Sequence, residues 1–499
     1  MFLNPAEAWR LLLICAGIVA GFLLYAHLSK IKQKVPLFYC WLGAIAVLGG
    51  AVAFFLPIAV NSGFAKDDDG SALRQALLYT TGGVLGVITL GETHRKNNQE
   101  KEKNENDHIR QVHAERRSRY AKAIEQLADN KASIRLGGIY TLVGLVDEWL
   151  DDNKTLSDSA EDSNKRKEEG QVIINNLCSY IRSPFPLAAK IEEYEAHKKL
   201  EELKKKESEN TLIGAEPFML KALSERFTNT QHYKKPEDIT TDYAQFHEEQ
   251  DVRRTIFVEM SKRSSTFTRD ENNKVIDISP GMWSDFDFDF SRAPIFYPLN
   301  NLTIERADFN LANFYGRAEF YNVTFVQDAG FILATFACDA DFRKATFIRD
   351  ADFDRADFIC DTDFSEATFS ISVDFTKTTF TYDANFSKTI FAQDAIFSGA
   401  TFNQNVSFSE ATFKTYKPFF AQWGEVRTRF SIYADPQKHN FKTRQDSQPI
   451  PLGKAELDDV EHIIPEGAVL FNPKSWDDKT QDHPISEPAM PLENSDTEE

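Results

Sequence analysis

The most regular pattern of apolar positions in this chain is a row of phenylalanines in its last third. Within ADFDRADFICDTDFSEATF (351–369) the spacing between successive Phe residues alternates between five and six, which gives a repeat of eleven. The alternation holds at twenty consecutive positions: Phe309, Phe314, Phe320, Phe325, Phe331, Phe336, Phe342, Phe347, Phe353, Phe358, Phe364, Phe369, Phe375, Phe380, Phe386, Phe391, Phe397, Phe402, Phe408 and Phe413. An internal repeat this regular predicts a repeat architecture with these rings as its core.

Two simple structures are excluded by the spacing. An eleven-residue period also suits a right-handed coiled coil. However, five residues along an α-helix turn the chain through about 500°, which leaves successive Phe side chains roughly 140° apart. A plain β-strand fails as well, because an interval of five places the second side chain on the opposite face.

The residues before each Phe favour a coiled chain of very short strands. The residue two places before Phe is Ala at fourteen of the twenty positions and Val or Thr at the others. A small residue, a variable residue and Phe form a period-two alternation of inward, outward and inward side chains. If the next two or three residues turn a corner, the chain winds into a β-helix whose small residues and Phe rings face the axis.

These units resemble the pentapeptide-repeat family, whose units read A-(D/N)-(L/F)-x-x. The resemblance covers residues 304–413 and implies a right-handed, four-sided parallel β-helix with the central Leu or Phe inside. This sequence departs from the family pattern by adding one residue to every second unit, which predicts about 22 residues per coil instead of 20. The added residues are Asp328, Asp339, Asp350, Asp361, Ser372, Asp383, Asp394 and Asn405.

The added residues have a local role at the corners. Asp, Asn and Ser side chains accept hydrogen bonds from their own backbone one or two residues ahead, which stabilises turns. A column of Asp also raises the alternative of calcium binding, as in nonapeptide β-helices, but those need Gly-rich loops. Gly is nearly absent from these repeats. We therefore expect neither a metal nor a cofactor.

The outward residue before Phe alternates in character. It is mostly Asp or Asn after the six-residue gap and Thr after the five-residue gap, which predicts that opposite faces of the coil differ, one acidic and one rich in threonine. The candidate interaction surface consists of Asp341, Asp352, Asp363 and Asp374. Cys338 and Cys360, 22 residues apart, should stack on adjacent coils about 4.8 Å apart, inside disulfide range. In a cytoplasmic protein they should remain thiols.

The N-terminal region differs from the rest because it contains long apolar segments. Residues 11–28 and 37–60 carry no Lys, Arg, Asp or Glu, and each is long enough to cross a membrane. A cleavable signal peptide is the alternative for the first, but no small-x-small site follows it. A third segment, 76–91, is either a shorter span rich in Gly and Thr or a buried soluble helix. With three spans, Lys30, Lys32 and Lys34 place the N-terminus outside and everything after residue 92 in the cytoplasm.

The middle of the chain has helical periodicity. Residues 120–150 predict two packed helices broken near Asp129 and Asn130. Residues 190–210 predict a charged helix, which we interpret as a solvated connector, with a coiled-coil partner site as the alternative. Arg253 and Arg254 lie in a helix over 251–263; we interpret them as surface charges, with a phosphate or lipid contact as the alternative. The segments YAKAIEQL (120–127) and RLGGIYTL (135–142) resemble the helical segment that bacterial membrane-anchored pentapeptide-repeat proteins carry before their repeats. This resemblance implies a multi-pass protein of the bacterial inner membrane.

The expected domain organisation follows from these segments. It comprises a transmembrane region (1–92), a cytoplasmic helical region (93–270) with a flexible loop (151–170), an N-terminal cap of the β-helix (271–303), the repeats (304–413), a C-terminal cap and extension (414–476), and a disordered acidic tail (477–499). Within the N-terminal cap, an imperfect first coil is the alternative for 275–279 and 285–299. The segment PFFAQW (418–423) is expected to form an aromatic lid on the last coil.

The sequence favours a binding role over catalysis. No GxSxG, P-loop or HExxH motif occurs, and the five cysteines have no zinc spacing. The net charge of −19 argues against direct nucleic-acid binding. We expect a membrane-anchored, non-enzymatic scaffold for protein–protein interaction whose partner is unknown, with homo-oligomerisation left open. One alternative is DNA mimicry that binds a type II topoisomerase, as some family members do, since residues 301–413 hold 17 acidic and 8 basic residues. A purely mechanical spacer is another.

Overall fold

The structure of this chain is a computed structural model. It covers residues 4–28, 37–61, 69–152, 156, 159–212, 216–228, 237–270, 275–422, 426–476 and 481–492. The chain divides into two compact units, Met1–Glu115 and Arg116–Glu499. The helices are α1 (Pro5–Leu28), α2 (Leu37–Ala59), α3 (Asp69–Leu127), α4 (Ala132–Leu150), α5 (Ala160–Arg182), α6 (Pro186–Ser208), α7 (Glu216–Thr228) and α8 (Ile239–Ser261).

The first unit contains the apolar helices. Within the described residues, two segments are long and apolar enough to cross a membrane, Pro5–His27 in α1 and Phe38–Ala59 in α2. The third predicted segment, 76–91, is not a separate helix but part of the long helix α3. It runs antiparallel to α2: Thr81 leaves no room for a Cβ at Gly49, and Lys96 Nζ donates to Tyr39 Oη over 3.0 Å.

The helical part of the second unit forms around α4. The backbone leaves the helical conformation between Leu127 and Ala132, at the predicted break, and the Arg135 guanidinium donates to the carbonyl oxygens of Asp129 and Asn130 over 3.0 and 2.9 Å. On α4, buried apolar side chains recur at helical spacing: Ile139, Leu142, Val143, Val146 and Trp149. This face packs against α5 and α8 in one hydrophobic core.

The flexible loop predicted at 151–170 is wrong in its second half, because α5 begins at Ala160. Ser159 caps this helix, its Oγ accepting from the Asp162 backbone N–H over 3.2 Å, and acidic residues in the first turn suit the positive end of the helix dipole. Further along, Gly170 allows close approach of the Phe286 ring. Residues 153–155 and 157–158 lie outside the described part of the chain.

Helix α6 is only in part the solvated connector that its charges predicted. Leu200 and Leu203 are buried and form a small apolar cluster with Leu220 of α7. Charged residues between these positions cover the remaining surface of the helix. The two helices therefore make a hairpin with its own minor core.

The solenoid is built from four parallel sheets, here called faces 1 to 4 in the order in which the chain meets them. Face 1 holds Asp287–Asp289, Arg306–Asp308, Ala329–Gly330, Ala351–Asp352, Val373–Asp374 and Ala395–Ile396. Face 2 holds Pro294–Ile295, Asn313–Phe314, Thr335–Phe336, Asp357–Phe358, Thr379–Phe380, Thr401–Phe402, Arg429–Ser431 and Val469–Phe471. Face 3 holds Ala318–Glu319, Ala340–Asp341, Thr362–Asp363, Ala384–Asn385 and Val406–Ser407. Face 4 holds Thr303–Ile304, Thr324–Phe325, Thr346–Phe347, Thr368–Phe369, Ile390–Phe391 and Thr412–Phe413.

The register fixes the length of a coil. Ala329 pairs with Ala351 on face 1, and Phe336 pairs with Phe358 on face 2, each a step of 22 residues. All twenty Phe side chains of the repeat are at most 1% exposed and form four stacked columns, one per face. The predicted fold class is confirmed: N-terminal apolar helices, a helical middle region and a four-sided parallel β-helix with 22-residue coils.

The N-terminal end of the solenoid is closed by the helical region. Face 1 begins at Asp287, so residues 287–303 form an imperfect first coil, one of the two possibilities that the sequence left open for this segment. Above them, the α8 ring of Phe257 lies 4.5 Å from Phe290 and 6.3 Å from Phe309. Helices and solenoid thus share one continuous core. An antiparallel hairpin, Thr266–Arg269 with Val275–Ser279, connects α8 to this coil.

The C-terminal end is an irregular continuation of the solenoid. Phe420 stacks on Phe397 with centroids 5.3 Å apart, and Phe430 stacks on Phe402 at 5.1 Å. The predicted aromatic lid therefore extends the Phe columns; Trp423 lies outside the described residues. The remaining strands are Ala421–Gln422 with Val426–Arg427, and a three-stranded sheet of Leu452–Leu457, Val460–Pro465 and Met490–Pro491.

The disordered tail predicted from residue 477 is wrong for 481–492. Met490 pairs with Lys454 at the edge of the three-stranded sheet, and Asp482 accepts from both terminal nitrogens of the Arg429 guanidinium, over 2.7 and 2.5 Å. Composition alone missed this segment because its order depends on partners far away in the sequence. Residues 477–480 and 493–499 lie outside the described chain.

Candidate interaction surface of the solenoid

The four candidate aspartates do not form one surface. A coil visits faces 1, 2, 3 and 4 in turn, so a step of eleven residues covers half a coil. Asp352 and Asp374 therefore lie on face 1, whereas Asp341 and Asp363 lie on face 3, on the opposite side. The surface predicted from the sequence is corrected to two pairs that face away from each other.

The same argument corrects the prediction that opposite faces differ. The outward positions of face 1 are Asp289, Asp308, Gly330, Asp352, Asp374 and Ile396, and those of face 3 are Glu319, Asp341, Asp363, Asn385 and Ser407. Threonine dominates faces 2 and 4, as at Thr335 and Thr346. Opposite faces thus match and adjacent faces differ.

Each candidate aspartate has a structural role in addition to its charge. Its Oδ1 accepts a hydrogen bond from the backbone N–H two residues ahead, at the corner that follows its strand. The donors are Arg343 for Asp341, Asp354 for Asp352, Ser365 for Asp363 and Thr376 for Asp374, at 3.1, 2.9, 2.8 and 2.7 Å. These local turns fix one carboxylate oxygen and leave the group's charge in place.

The added residues of the repeat bond differently from the prediction. Asp361 Oδ1 accepts from the Asp383 backbone N–H over 3.2 Å, and Asp383 Oδ1 accepts from the Asn405 backbone N–H over 3.0 Å. Asp350 accepts likewise from Ser372 on the neighbouring corner. These side chains therefore connect one coil to the next, whereas the predicted bonds to the local backbone are made by the outward aspartates.

The negative charge of Asp341 is compensated by two arginines of the fold. Asp341 is 5% exposed and accepts from Arg317 Nη2 over 3.0 Å and from Arg343 Nη2 over 2.7 Å. Burial acts to raise the pKa of this carboxyl, but the hydrogen bonds and charge of Arg343 outweigh it and hold the pKa below its usual value. Arg343 also lies over the Tyr321 ring, 5.6 Å from its centroid. This part of face 3 presents cations around a buried acid.

Face 1 retains its acidic character. Burial, together with the neighbouring charges of Asp374 and Asp354, raises the pKa of Asp352 against the opposing effect of the Asp354 backbone hydrogen bond. Asp352 and Asp374 are half-buried and one coil apart. At about 4.8 Å between neighbouring strands, their carboxylates repel each other. A cationic group from a partner would relieve this repulsion.

A charged column at the corner between faces 3 and 4 was missed by the sequence reading. It consists of Asn322, Lys344, Glu366, Lys388 and Glu410, all with positive φ. Lys344 Nζ lies 3.9 Å from Glu366, and Lys388 Nζ lies 3.9 Å from Glu410. The sequence contains the pattern that would have predicted this column, because each of these residues follows a Phe by two places and recurs every 22 residues. Such exposed pairs stabilise little, but they define the charge pattern of this edge.

No metal centre is found in the part of the chain that the structure describes: no group of three or more His, Cys, Asp or Glu side chains is placed to hold an ion. The column of added aspartates belongs to this part of the chain. In this column, the carboxylates of Asp350, Asp361 and Asp383 accept hydrogen bonds from backbone N–H groups of the next coil.

Comparison with known proteins identifies the repeats. The family described as pentapeptide repeats (9 copies) matches residues 326–368, 342–390 and 364–412. No curated protein and no solved structure matches the chain. The helical segment at 120–142 has no family match, so its resemblance stays an expectation. With the four-sided, 22-residue coil already established, the family match shows that the solenoid of this chain is a pentapeptide-repeat domain.

Proposed function

We propose that this protein is a membrane-anchored, non-enzymatic scaffold whose pentapeptide-repeat domain binds a protein partner through face 1. The observation that carries the proposal is the set of acidic side chains on that face, Asp308, then after the gap at Gly330 the adjacent Asp352 and Asp374, on a backbone held rigid by interstrand hydrogen bonds. A fixed row of charges suits recognition because the partner meets groups that are already ordered. A cationic surface on the partner would complement it.

Face 1 is favoured over face 3 by the electrostatics. On face 3, Arg317 and Arg343 already satisfy Asp341. Neutral outward residues do not distinguish the faces, because each has two: Gly330 and Ile396 on face 1, Asn385 and Ser407 on face 3. On face 1, Asp352 and Asp374 have no such cation among their described hydrogen bonds. A partner gains more from charges that are not yet compensated.

Membrane anchoring is supported by the first unit. Helices α1 and α2 have the length and composition of membrane spans. The contacts of Thr81 with Gly49 and of Lys96 with Tyr39 place residues 81–96 of α3 alongside α2. This stretch of α3 exposes apolar side chains at Val84, Val87 and Leu90, which lipid would cover. Three spans put the N-terminus outside the bacterial inner membrane and the repeat domain in the cytoplasm.

The binding proposal is tested by removing charge without disturbing the turns. Asn keeps the Oδ1 acceptor that the corner needs, so Asp352→Asn with Asp374→Asn removes two charges from face 1 and retains its geometry. Asp363→Asn is the matched control on face 3. Affinity-tagged full-length chains are recovered from membranes in mild detergent, and the co-purifying proteins are quantified by mass spectrometry.

We expect at least one co-purifying protein to be lost from the face 1 variant and kept by the control. Equal recovery of every co-purifying protein with all three chains would contradict the role of face 1. A chain that recovers no protein at all, before any substitution, would favour the mechanical spacer.

Sidedness is tested separately. Thr211→Cys, at an exposed position after α6, is introduced into a chain whose own five cysteines are replaced. A membrane-impermeant maleimide should label it in inverted vesicles and not in intact spheroplasts. Labelling in spheroplasts would leave two spans and place the repeats outside.

DNA mimicry is the second candidate function. Residues 301–413 hold 17 acidic and only 8 basic residues, and this acidic character favours mimicry. These acids, however, are divided between opposite faces, and Asp341 is paired with arginines. Supercoiling by a type II topoisomerase, measured with the full-length chain in detergent, separates the two: inhibition at micromolar protein supports mimicry, and unchanged activity removes it.

A further inference from the structure

Cys338 and Cys360 occupy equivalent places on successive coils, at the corner between faces 2 and 3. On one side of this corner Phe336 pairs with Phe358, and on the other side Ala340 pairs with Thr362. Each cysteine is two residues from both of its anchors. Their Cα atoms are therefore separated by about the strand spacing of 4.8 Å, within the range of roughly 4.4–6.8 Å that a disulfide spans.

The two thiols interact and differ in character. Cys360 Sγ lies 3.6 Å from the Ala337 carbonyl oxygen, which accepts its S–H. When it turns from Ala337 to Cys338, the same S–H stabilises the Cys338 thiolate, and against the opposing effect of burial it holds the pKa of Cys338 below its usual value. The pKa of Cys360 is raised by the bond to Cys338 and by burial. Cys338 is thus the better nucleophile of the two.

The surroundings keep the pair accessible. Both cysteines are only half-buried, and the side chains of Glu192 in α6 and Arg226 in α7 lie near enough to affect the ionisation of Cys338. The other thiol of the second unit, Cys178, is fully buried, and burial raises its pKa to about 12. The corner between faces 2 and 3 therefore holds the reactive thiols of this unit.

We propose that Cys338 and Cys360 form a reversible dithiol–disulfide site that exchanges with a low-molecular-weight disulfide. The Cys338 thiolate attacks one sulfur of that disulfide, breaks its S–S bond and releases one thiolate. Cys360 then attacks the Cys338 sulfur of the mixed disulfide and displaces the second thiolate. The two protons of the cysteines end on the two released thiols, so the pair loses two electrons and the small disulfide gains them. The product links one coil covalently to the next.

This site is independent of the proposed function. It lies at a corner away from face 1 and adds a modification that neither the scaffold nor the mimicry hypothesis requires. The covalent link stiffens the solenoid beside the α6–α7 hairpin.

The test uses the full-length chain in detergent at neutral pH, with reduced and oxidised glutathione as the probe. After free thiols are blocked with N-ethylmaleimide at slightly acidic pH, the unreduced protein is digested with trypsin. Arg317, Arg343, Arg355 and Lys377 set the cleavage points, so Cys338 lies in peptide 318–343 and Cys360 in peptide 356–377. The linked pair of peptides, two hydrogens lighter than their sum, is quantified by mass spectrometry.

We expect the linked peptide to rise with the oxidised fraction of glutathione and to disappear when excess reduced glutathione is added. Cys338→Ser and Cys360→Ser each remove one of the two sulfurs and should abolish it, whereas Cys15→Ala, in α1, should leave it unchanged. Circular dichroism checks that the variants keep their strand content. If a variant does not fold, the dependence of the linked peptide on the glutathione ratio in the unsubstituted chain decides the proposal by itself. Glutathione adducts without the linked peptide, or a linked peptide formed only in urea, would overturn the proposal.

Discussion

The rings of Phe331 and Phe353 stack in parallel one coil apart, with centroids 4.8 Å apart and planes within 3°. This separation equals the spacing of neighbouring strands, so the backbone ladder and the ring column share one repeat. On the other side, Phe353 stacks on Phe375 at 5.0 Å. Each ring therefore fills the full height of its coil.

Removing one ring should leave a cavity that the ladders cannot close. We expect Phe353→Ala to lower the free energy of unfolding by about 3–5 kcal/mol, measured by guanidinium unfolding of the full-length chain in detergent. Phe353→Leu, which keeps an apolar side chain of the family type, is the control and should cost clearly less. A loss below about 1 kcal/mol for the alanine variant would show that the column is not the main source of stability.

The corners after faces 1 and 3 contain a residue in the left-handed region at every eleventh position. At Lys377, φ is 57°, in a turn closed by the Thr378 N–H donating to the Phe375 carbonyl oxygen over 3.1 Å. This is the position of a type II turn that favours Gly. We expect Lys377→Gly to raise the unfolding free energy by roughly 1 kcal/mol.

The matched reverse change is Gly399→Ala, one coil further along the same corner. Here φ is 71°, and the Val426 side chain leaves no room for a Cβ, so the substitution should lower stability by about 1–3 kcal/mol. Both variants are compared by the same guanidinium unfolding. If they change stability in the same direction, backbone conformation is not what governs these corners.

A histidine pair, His462 buried and His439 half-buried, gives the C-terminal end a dependence on pH. His439 and His462 have ring centroids 6.1 Å apart, and His439 Nδ1 accepts from the Val406 backbone N–H over 3.3 Å. Burial, then the charge of His462, lowers the pKa of His439 to about 4, although Asp383 and Asp435 act in the opposite direction. Burial also lowers the pKa of His462.

Because these pKa values are lowered on folding, the unfolded chain binds more protons below its ordinary histidine pKa of about 6.5. Stability is therefore complete above about pH 6.5 and is lost as the pH falls towards about 4. Between about pH 6.5 and 5, His439 alone should account for about 2 kcal/mol. His439→Gln, which does not titrate in this range, should flatten the dependence; an unchanged slope in unfolding experiments at the two pH values would count against it.

Arg253 was interpreted from the sequence as a surface charge, and the structure shows that this is wrong. The side chain is 1% exposed; its Nε donates to Glu249 Oε1 over 2.7 Å, and its Nη1 donates to the Ile181 carbonyl oxygen over 2.7 Å. Nη2 donates to the carbonyl and hydroxyl oxygens of Ser183. The guanidinium thus ties α8 to the end of α5.

We expect Arg253→Ala to lower the unfolding free energy by about 3–5 kcal/mol, because Glu249 and two carbonyl groups lose a buried partner. Arg253→Lys should restore little, since an ammonium group does not reach the same set of acceptors. The neighbouring Arg254, whose Nε donates to the Pro298 carbonyl oxygen over 3.1 Å, is the matched control; its alanine variant should cost about 1 kcal/mol. Equal losses at both positions would contradict this assignment.

The sequence predicted those features that arise from residues close together along the chain, and it did not predict those that depend on distant partners. The Phe spacing set the coil, because the rings, the short strands and the corners all repeat with the same period. The buried Arg253 and the ordered Asp482 could not be predicted, since their partners lie 72 and 53 residues away along the chain. The helical start at Ala160 was missed because a charged segment resembles a loop until its cap at Ser159 is considered.

The candidate site was predicted in composition and not in geometry. The outward aspartates were identified from the position before Phe, but their division between two sides follows only from the length of a full coil. Asp341 and Asp352 are alike in the repeat pattern, yet Asp341 is paired with two arginines, whereas the charges of two other acids, Asp374 and Asp354, act on Asp352. That difference comes from the residues at neighbouring corners.

Because each eleven-residue unit covers half of a coil, the solenoid has an approximate twofold screw axis along its length. Turned by half a circle and moved by half a pitch, the consensus of the solenoid coincides with itself, so a binder that reads only the consensus would meet the same array on two sides. Selectivity for one side then depends on the residues that break the screw, such as Gly330 opposite Asp341 and Ile396 opposite Ser407. Evolution of a one-sided contact in this architecture proceeds through those exceptions.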